Sequence, residues 1–331
     1  MPHERSIVIV TPALADANNG NWQTASRWAR MLAPRYRARI VQHWPDGDAS
    51  ERDDAMIALH AVRSLASINL WAGIRGEHGL GVVMTGTDLY GADGMNPASN
   101  EAVSLAQHLV VLQERGKDML AASARTKARV IFQSAPKRPT LTKPRSRLRA
   151  VMVGHLRDVK SPETLFDAAL LLRGEGDVFI DHVGDALDPR LGARARATAK
   201  GAPNYRWLGG LPHEDVRRRI QHAHLLVHTS RAEGGAHVIL EAVRSGTPVL
   251  ASAVDGNIGM LGSRYAGYFD HGSPEQLAAL LLECRDELLR PRSGTLLKRL
   301  REQCRARSPL FDPAREKAAV QALAADLLGS P

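Results

Sequence analysis

The sequence predicts an α/β protein of two doubly wound parallel-sheet domains that face each other and end in a helical C-terminal tail. Three observations carry this reading. Short β-branched apolar runs alternate with helix-patterned stretches, a proline-rich basic segment breaks the alternation, and the same alternation then restarts. At 331 residues the chain is too long for one ordinary domain and suits two. Its 44% hydrophobic and 24% charged residues fit a globular protein, not a disordered one.

The strand-like runs of the first half are Ser6–Thr11, Arg39–His43, Gly81–Thr85, His108–Leu112 and Arg129–Gln133, with Ala55–His60 read as a strand in place of a helix start. Continuous apolar strands of this kind need cover on both faces, which a parallel sheet between helix layers supplies. Between the first two runs a helix is expected, with Trp22, Ala25, Ala29 and Leu32 facing the core and Gln23, Arg27 and Arg30 on the other side. Pro136 to Arg149 holds three prolines and six basic residues without periodicity, the look of an exposed interdomain linker. Strands then resume at Ala150–Gly154, Val178–Val183, Tyr205–Leu208, His224–Thr229 and Pro248–Ser252. From about Pro274 the chain reads as helical, interrupted at Ser308–Pro313. The expected division is 1–140 for the first domain, 141–310 for the second and 311–331 for a C-terminal helix.

Composition narrows the function classes. The formal net charge is +9, which suits nucleic acid, anionic lipid or phosphorylated small molecules. The arginines are scattered and aromatics are only 5%, so no basic stripe with stacking rings points to nucleic acid. Phosphate-bearing substrates fit better. No apolar run approaches the roughly eighteen residues of a membrane span, and the N-terminus does not read as a signal peptide. The two cysteines, Cys284 and Cys304, read as buried reduced thiols, which implies a cytoplasmic protein. Thirteen histidines occur without an HExxH or a Cys/His ligand spacing, so no metal is expected.

Two segments carry the chemistry. In Val153–Pro162 a strand gives way to a helix, where ligands of doubly wound sheets bind. Gly154 there permits close backbone approach, and Arg157 and Lys160 offer cations to a diphosphate. In Ser230–Ser245 a strand ends, Gly234 and Gly235 turn the chain, and a helix opens with free amides that suit an anion. Glu233 falls in that loop and Glu241 on the helix, suited to sugar hydroxyls and a ribose diol respectively. Gly246 then stops the helix. In the first half, Asn18, Asn19, Gly20 and Asn21 precede a helix and suit an oxyanion.

The glycine-lysine loop, with Glu233 and Glu241 a domain-length element downstream, resembles the glycogen-synthase-like group of GT-B glycosyltransferases. That resemblance implies two Rossmann-like domains facing a cleft, with the nucleotide-sugar in the second. It implies that Lys160 with an arginine grips the diphosphate, that Glu233 and Gly234, Gly235, Ala236 and His237 meet the donor sugar, and that Glu241 holds ribose. The group usually has arginine directly after the loop glycine; here His155 stands there and Arg157 two positions on, leaving the phosphate contact open between them.

Further blocks, ANNGNWQTA at 17–25, TGTDLY at 85–90, GHLRDVKSP, EGGAHVILEA and GNIGMLGSRYAGY at 256–268, together resemble selenosugar synthase of selenoneine biosynthesis. That family implies transfer from UDP-N-acetylglucosamine or UDP-glucose to selenophosphate, giving a 1-selenosugar, UDP and phosphate, with no tightly bound cofactor. Many relatives carry histidine where Thr85 stands beside Asp88. An anionic selenium needs no general base, so the loss is tolerable there. Arg27, His60 and Arg63 are candidate helpers for the phosphate of selenophosphate. The rival readings are a UDP-sugar transferase to a sugar or lipid hydroxyl, a non-catalytic nucleotide-sugar sensor and a nucleic-acid binder. Small-molecule substrates are expected, without a protein partner or a stable membrane association.

Overall fold

The computed structural model describes residues 5–14, 20–91, 94–290 and 296–329. The chain divides into two compact units. The first comprises Met1–Gln133, Glu233–Gly235 and Pro313–Pro331, and the second Ser134–Ala232 and Ala236–Asp312.

In the first unit lie strands β1 (Ser6–Val10), β2 (Arg37–Val41), β3 (Ala55–Leu59), β4 (Leu80–Met84), β5 (His108–Val111) and β6 (Ala128–Val130). Helices α1 (Gly20–Leu32), α2 (Leu65–Arg75), α3 (Pro97–Leu105) and α4 (Ala122–Arg125) connect them. All pairings are parallel, in the order β2-β1-β3-β4-β5-β6. Successive residues of β1 and β3 feed opposite cores. Val8, Val10, Met56 and Ala58 pack on one face, and Ile7, Ile9, Ala55, Ile57 and Leu59 on the other. Burial on both faces is why these strands read as unbroken apolar runs.

The second unit repeats the plan with β7 (Leu148–Val153), β8 (Val178–Val183), β9 (Tyr205–Trp207), β10 (Leu225–His228), β11 (Val249–Ser252) and β12 (Tyr268–Phe269). These are parallel in the order β12-β11-β10-β7-β8-β9. Its helices are α5 (Pro162–Leu171), α6 (Pro189–Gly201), α7 (His213–His222), α8 (His237–Arg244), α9 (Asp255–Leu261), α10 (Pro274–Leu289) and α11 (Leu296–Arg307). The chain ends in α12 (Pro313–Leu327), which packs on α1 in the first unit.

Several expectations need correction. Trp22 is only half-buried; the inward residues of α1 are Thr24, Ala25, Trp28 and Leu32. Thr24 turns inward because its hydroxyl donates to the Gly20 carbonyl at 2.8 Å and accepts from Gln133 Nε2 at 2.5 Å. Nor does Arg27 face away: its Nε lies 2.9 Å from Glu316 of α12, whose carboxylate also accepts from Trp28 Nε1 at 2.7 Å. Glu316 is 1% exposed, so this ion pair docks α12, and it takes Arg27 away from any anion-binding task. Strand β2 starts two residues before the expected run, at Arg37, and the two-residue β12 has no counterpart in the expected strands.

The basic segment after Gln133 is exposed, as a linker should be, yet it is laced onto the second unit. Arg217 Nη2 donates to the Pro136 carbonyl at 2.8 Å, Gln221 Nε2 to Pro139 at 2.8 Å and His224 Nε2 to Pro144 at 2.9 Å. Lys143 reaches the Ala223 carbonyl, and its ammonium donates to Thr247 Oγ1 at 3.0 Å. Gly246, at φ +71°, lies so close to Thr140 that any side chain there would collide with its hydroxyl. Both cysteines are buried; burial pushes the Cys304 thiol up to about 11, so it stays protonated at neutral pH.

Candidate active site

Beyond the carboxyl ends of β7, β8 and β9, three loops of the second unit interlock. Leu156 N–H donates to the Asp185 carbonyl at 2.8 Å, Gly184 N–H to the Gly209 carbonyl at 2.8 Å, and Gly210 N–H to Asp185 Oδ1 at 2.8 Å. Gly184 adopts φ +150° directly against the Gly154 carbonyl, where a Cβ would not fit. Under the loops, buried His182 spans Tyr205 Oη at 3.0 Å and the Gly154 carbonyl at 3.2 Å. Desolvation drives its pKa down to about 4, so the imidazole is neutral and serves as scaffold.

The two chemistry-bearing segments meet here. Thr229 Oγ1 donates to the Lys160 carbonyl at 2.7 Å, and Arg231 N–H to the Val159 carbonyl at 3.0 Å. The Arg231 guanidinium sits 2.7 Å from Asp158. The turn Asp158–Lys160 is thereby fixed against the stretch that leads to Glu233. Ser161 follows at φ +43°, a left-handed conformation unusual for a non-glycine residue. Its hydroxyl lies 2.8 Å from His271 Nε2. Of the two candidate phosphate ligands, His155 has Nδ1 engaged by the Asp185 N–H at 3.0 Å. Arg157 is exposed and pairs with no carboxylate among the described residues.

Helix α8 opens at His237 after Ala236, which as N-cap supplies no side-chain hydrogen bond to the helix. Glu241, one turn in, is 2% exposed. Its Oε1 lies 2.6 Å from His213 Nε2, 3.7 Å from His237 Nε2 and 3.9 Å from Arg217 Nε. Burial alone would raise its pKa, but the His213 hydrogen bond and the charges of His237, His213 and Arg217 outweigh it and hold the carboxyl below its ordinary value. The same bond raises the pKa of His213. Glu241 is therefore an anion at neutral pH, and its contacts with His213, His237 and Arg217 all fall on Oε1. His213 and Arg217 escaped the sequence reading, because PHEDVRRR looks like the start of any solvated helix. Glu233 stands in the loop before α8, as expected, half-exposed, with Gly234 and Ala236 buried.

In the first unit the candidates gather at the ends of β3 and β4. Asp88 is 1% exposed, and its oxygens accept from the N–H groups of Gly86 at 2.7 Å, Thr85 at 2.9 Å and Ala61 at 2.9 Å. His60, at φ +68°, has Nδ1 3.8 Å from Asp88 and Nε2 3.2 Å from Thr87 Oγ1. Burial lowers the pKa of His60, Asp88 opposes that and Arg63 adds to it, so the ring is neutral at pH 7. Thr85 is half-exposed beside this cage. Gly20 and Asn21 form the first residues of α1, while Asn18 and Asn19 lie outside the described residues. The described residues contain no group of three or more His, Cys, Asp or Glu side chains placed to hold a metal ion, and no helix long and apolar enough to cross a membrane.

Two parallel six-stranded sheets and a carboxylate-bearing helix after a glycine turn define a GT-B fold. Residues 134–293, within the second unit, match the family model of the glycosyl transferases group 1. HepE from Anabaena, solved with UDP-glucose, is similar over 97% of this chain and 99% of its own, at 15% identity and a TM-score of 0.74. Sucrose-phosphate synthase from Thermosynechococcus elongatus is similar over 98% and 100%, at 16% identity and a TM-score of 0.74. TarM from S. aureus, solved with UDP and α-GlcNAc-glycerol, is similar over 84% of this chain at 14% identity and a TM-score of 0.61. The chain spans 56% of TarM's length.

Proposed function

We propose that the protein transfers a hexose from a UDP-sugar, and that its second unit is the donor side. The observation that carries this reading is the lock between the Asp158–Lys160 turn and the Thr229–Arg231 stretch, followed by the helix that bears the charged Glu241. UDP or UDP-glucose in the solved relatives is consistent with such a donor.

Gly154 lets the diphosphate approach the backbone, and Lys160 neutralises the departing UDP. Arg157 is the better second cation, since His155 spends Nδ1 on the Asp185 amide. Glu233 and the amides of Gly234 to His237 receive the hexose, and Glu241 Oε2 accepts from a ribose hydroxyl. Gly20, Asn21, Thr85 and His60 belong to the acceptor side, and Asp88 positions Thr85 through its backbone.

The acceptor we propose is selenophosphate, on the strength of the sequence blocks shared with selenosugar synthase. Selenium attacks the anomeric carbon, the carbon–oxygen bond to UDP breaks, and water takes the phosphoryl group from selenium to give phosphate. Thr85 offers a hydrogen bond but no general base, which a preformed selenium anion does not need.

Anaerobic incubation with UDP-N-acetylglucosamine or UDP-glucose and selenophosphate, followed by mass spectrometry, tests both levels. A selenosugar released with UDP, and lost in Lys160→Ala, is expected. Products only with alcohol acceptors would move the acceptor to a hydroxyl, and no consumption of any UDP-sugar would refute the transferase reading.

A further inference from the structure

Helix α8 has a second polar end that the proposed chemistry does not use. Arg244, its last residue, is a guanidinium only 8% exposed, an expensive group to bury without partners. Its partners are all at places where the chain crosses between the units. Nε donates to the Ala135 carbonyl at 3.1 Å, one residue beyond the first crossing. Nη1 donates to the Ser308 carbonyl at 3.4 Å, and Nη2 to Asp312 Oδ2 at 3.0 Å, the last residue before the final crossing. The crossings are also tied to each other, Ala135 N–H to the Phe311 carbonyl at 3.3 Å, and the Arg244 carbonyl accepts from Arg138 N–H at 3.0 Å. At its other end, α8 follows directly on Glu233–Gly235, the short stretch grouped with the first unit. An eight-residue helix is a rigid rod about 12 Å long. It therefore joins the candidate sugar-binding loop to the first and last chain crossings.

We infer that Arg244 is a positioning residue that couples occupancy of the donor site, through α8, to the first and last chain crossings. The inference rests on the donor reading given above. A lysine cannot replace it, because only the planar fork reaches the Ala135, Ser308 and Asp312 acceptors together.

The test is hydrogen–deuterium exchange of the full chain with and without UDP, on the wild type, Arg244→Lys and the milder Asp312→Asn. In the wild type, UDP is expected to slow exchange both at 237–241 and at 134–138 and 308–312. In Arg244→Lys the protection at 237–241 persists and that at the crossings is lost, with Asp312→Asn intermediate. Turnover should fall roughly 2- to 30-fold in Arg244→Lys, the span of coupling mutations, while UDP affinity stays within about threefold. Protection at 237–241 without any at the crossings in the wild type would overturn the coupling and leave the donor reading standing. Unchanged protection at the crossings in both folded variants would overturn it as well. A wild type that UDP protects nowhere overturns both readings.

Discussion

Asp88 in the first unit and Glu241 in the second are both buried carboxylates after a strand, yet they are held in opposite ways. Asp88 meets three backbone amides, partners that cannot move without unfolding the turn. Glu241 meets side chains, and the nearest, His213, has a side chain that is 67% exposed. A carboxylate caged by backbone is architecture, whereas one faced by replaceable side chains keeps capacity for a ligand. The difference marks the second unit as the place where charge is poised and the first as the place where a loop is held.

That contrast breaks most sharply on substitution. Removing the cation at Lys160 with alanine should cost turnover by about 10²- to 10³-fold, as losing one charge-stabilising group does, with the thermal midpoint little changed. Comparison of kcat and melting temperature checks it, and equal loss of both would erase the distinction between the units. Asp88→Ala should do the reverse. Leaving three buried amides unpaired costs about 3 kcal/mol of stability, read by urea unfolding, and UDP affinity should be retained.

A third prediction concerns acid. His182 titrates near pH 4 when folded against about 6.5 unfolded, so the unfolded chain binds the proton first. Its contribution is complete above pH 6.5 and is lost as the pH falls from there to 4. The loss is about 3 kcal/mol, and urea midpoints at pH 7 and 4.5 read it. His224, also held near 4 by burial, adds in the same window. His182→Gln should flatten the slope.

The smallest effect is at His213. Its pKa is raised, so its bond to Glu241 adds stability below pH 6.5 that disappears as the pH rises through the folded value. Solvent screens the exposed ring, which limits the gain to about 0.5 kcal/mol. Wild type and His213→Gln should therefore differ at pH 6 and converge in alkali.

How much of this was legible in the sequence follows from range. The alternation was readable because burial on both sheet faces writes itself into consecutive apolar residues such as Ile7 to Val10. Glu233 in a loop and Glu241 on a helix followed from the glycine pair between them. The inward face of α1 was misread because its decisive partner, Glu316, lies 289 residues away from Arg27, and a polar Thr24 turns inward for Gln133. His213 and Arg244 carry no local signal; only the folded chain brings them to Glu241 and to the crossings.

The central claim, a nucleotide-sugar site on the second unit, is tested most directly by calorimetric titration of UDP into the wild type, Lys160→Ala and Glu241→Ala. Saturable binding in the wild type, weakened at least tenfold (about 1.4 kcal/mol) in each folded variant, is the result expected here. No binding in the wild type, or affinity that neither substitution changes, would contradict it.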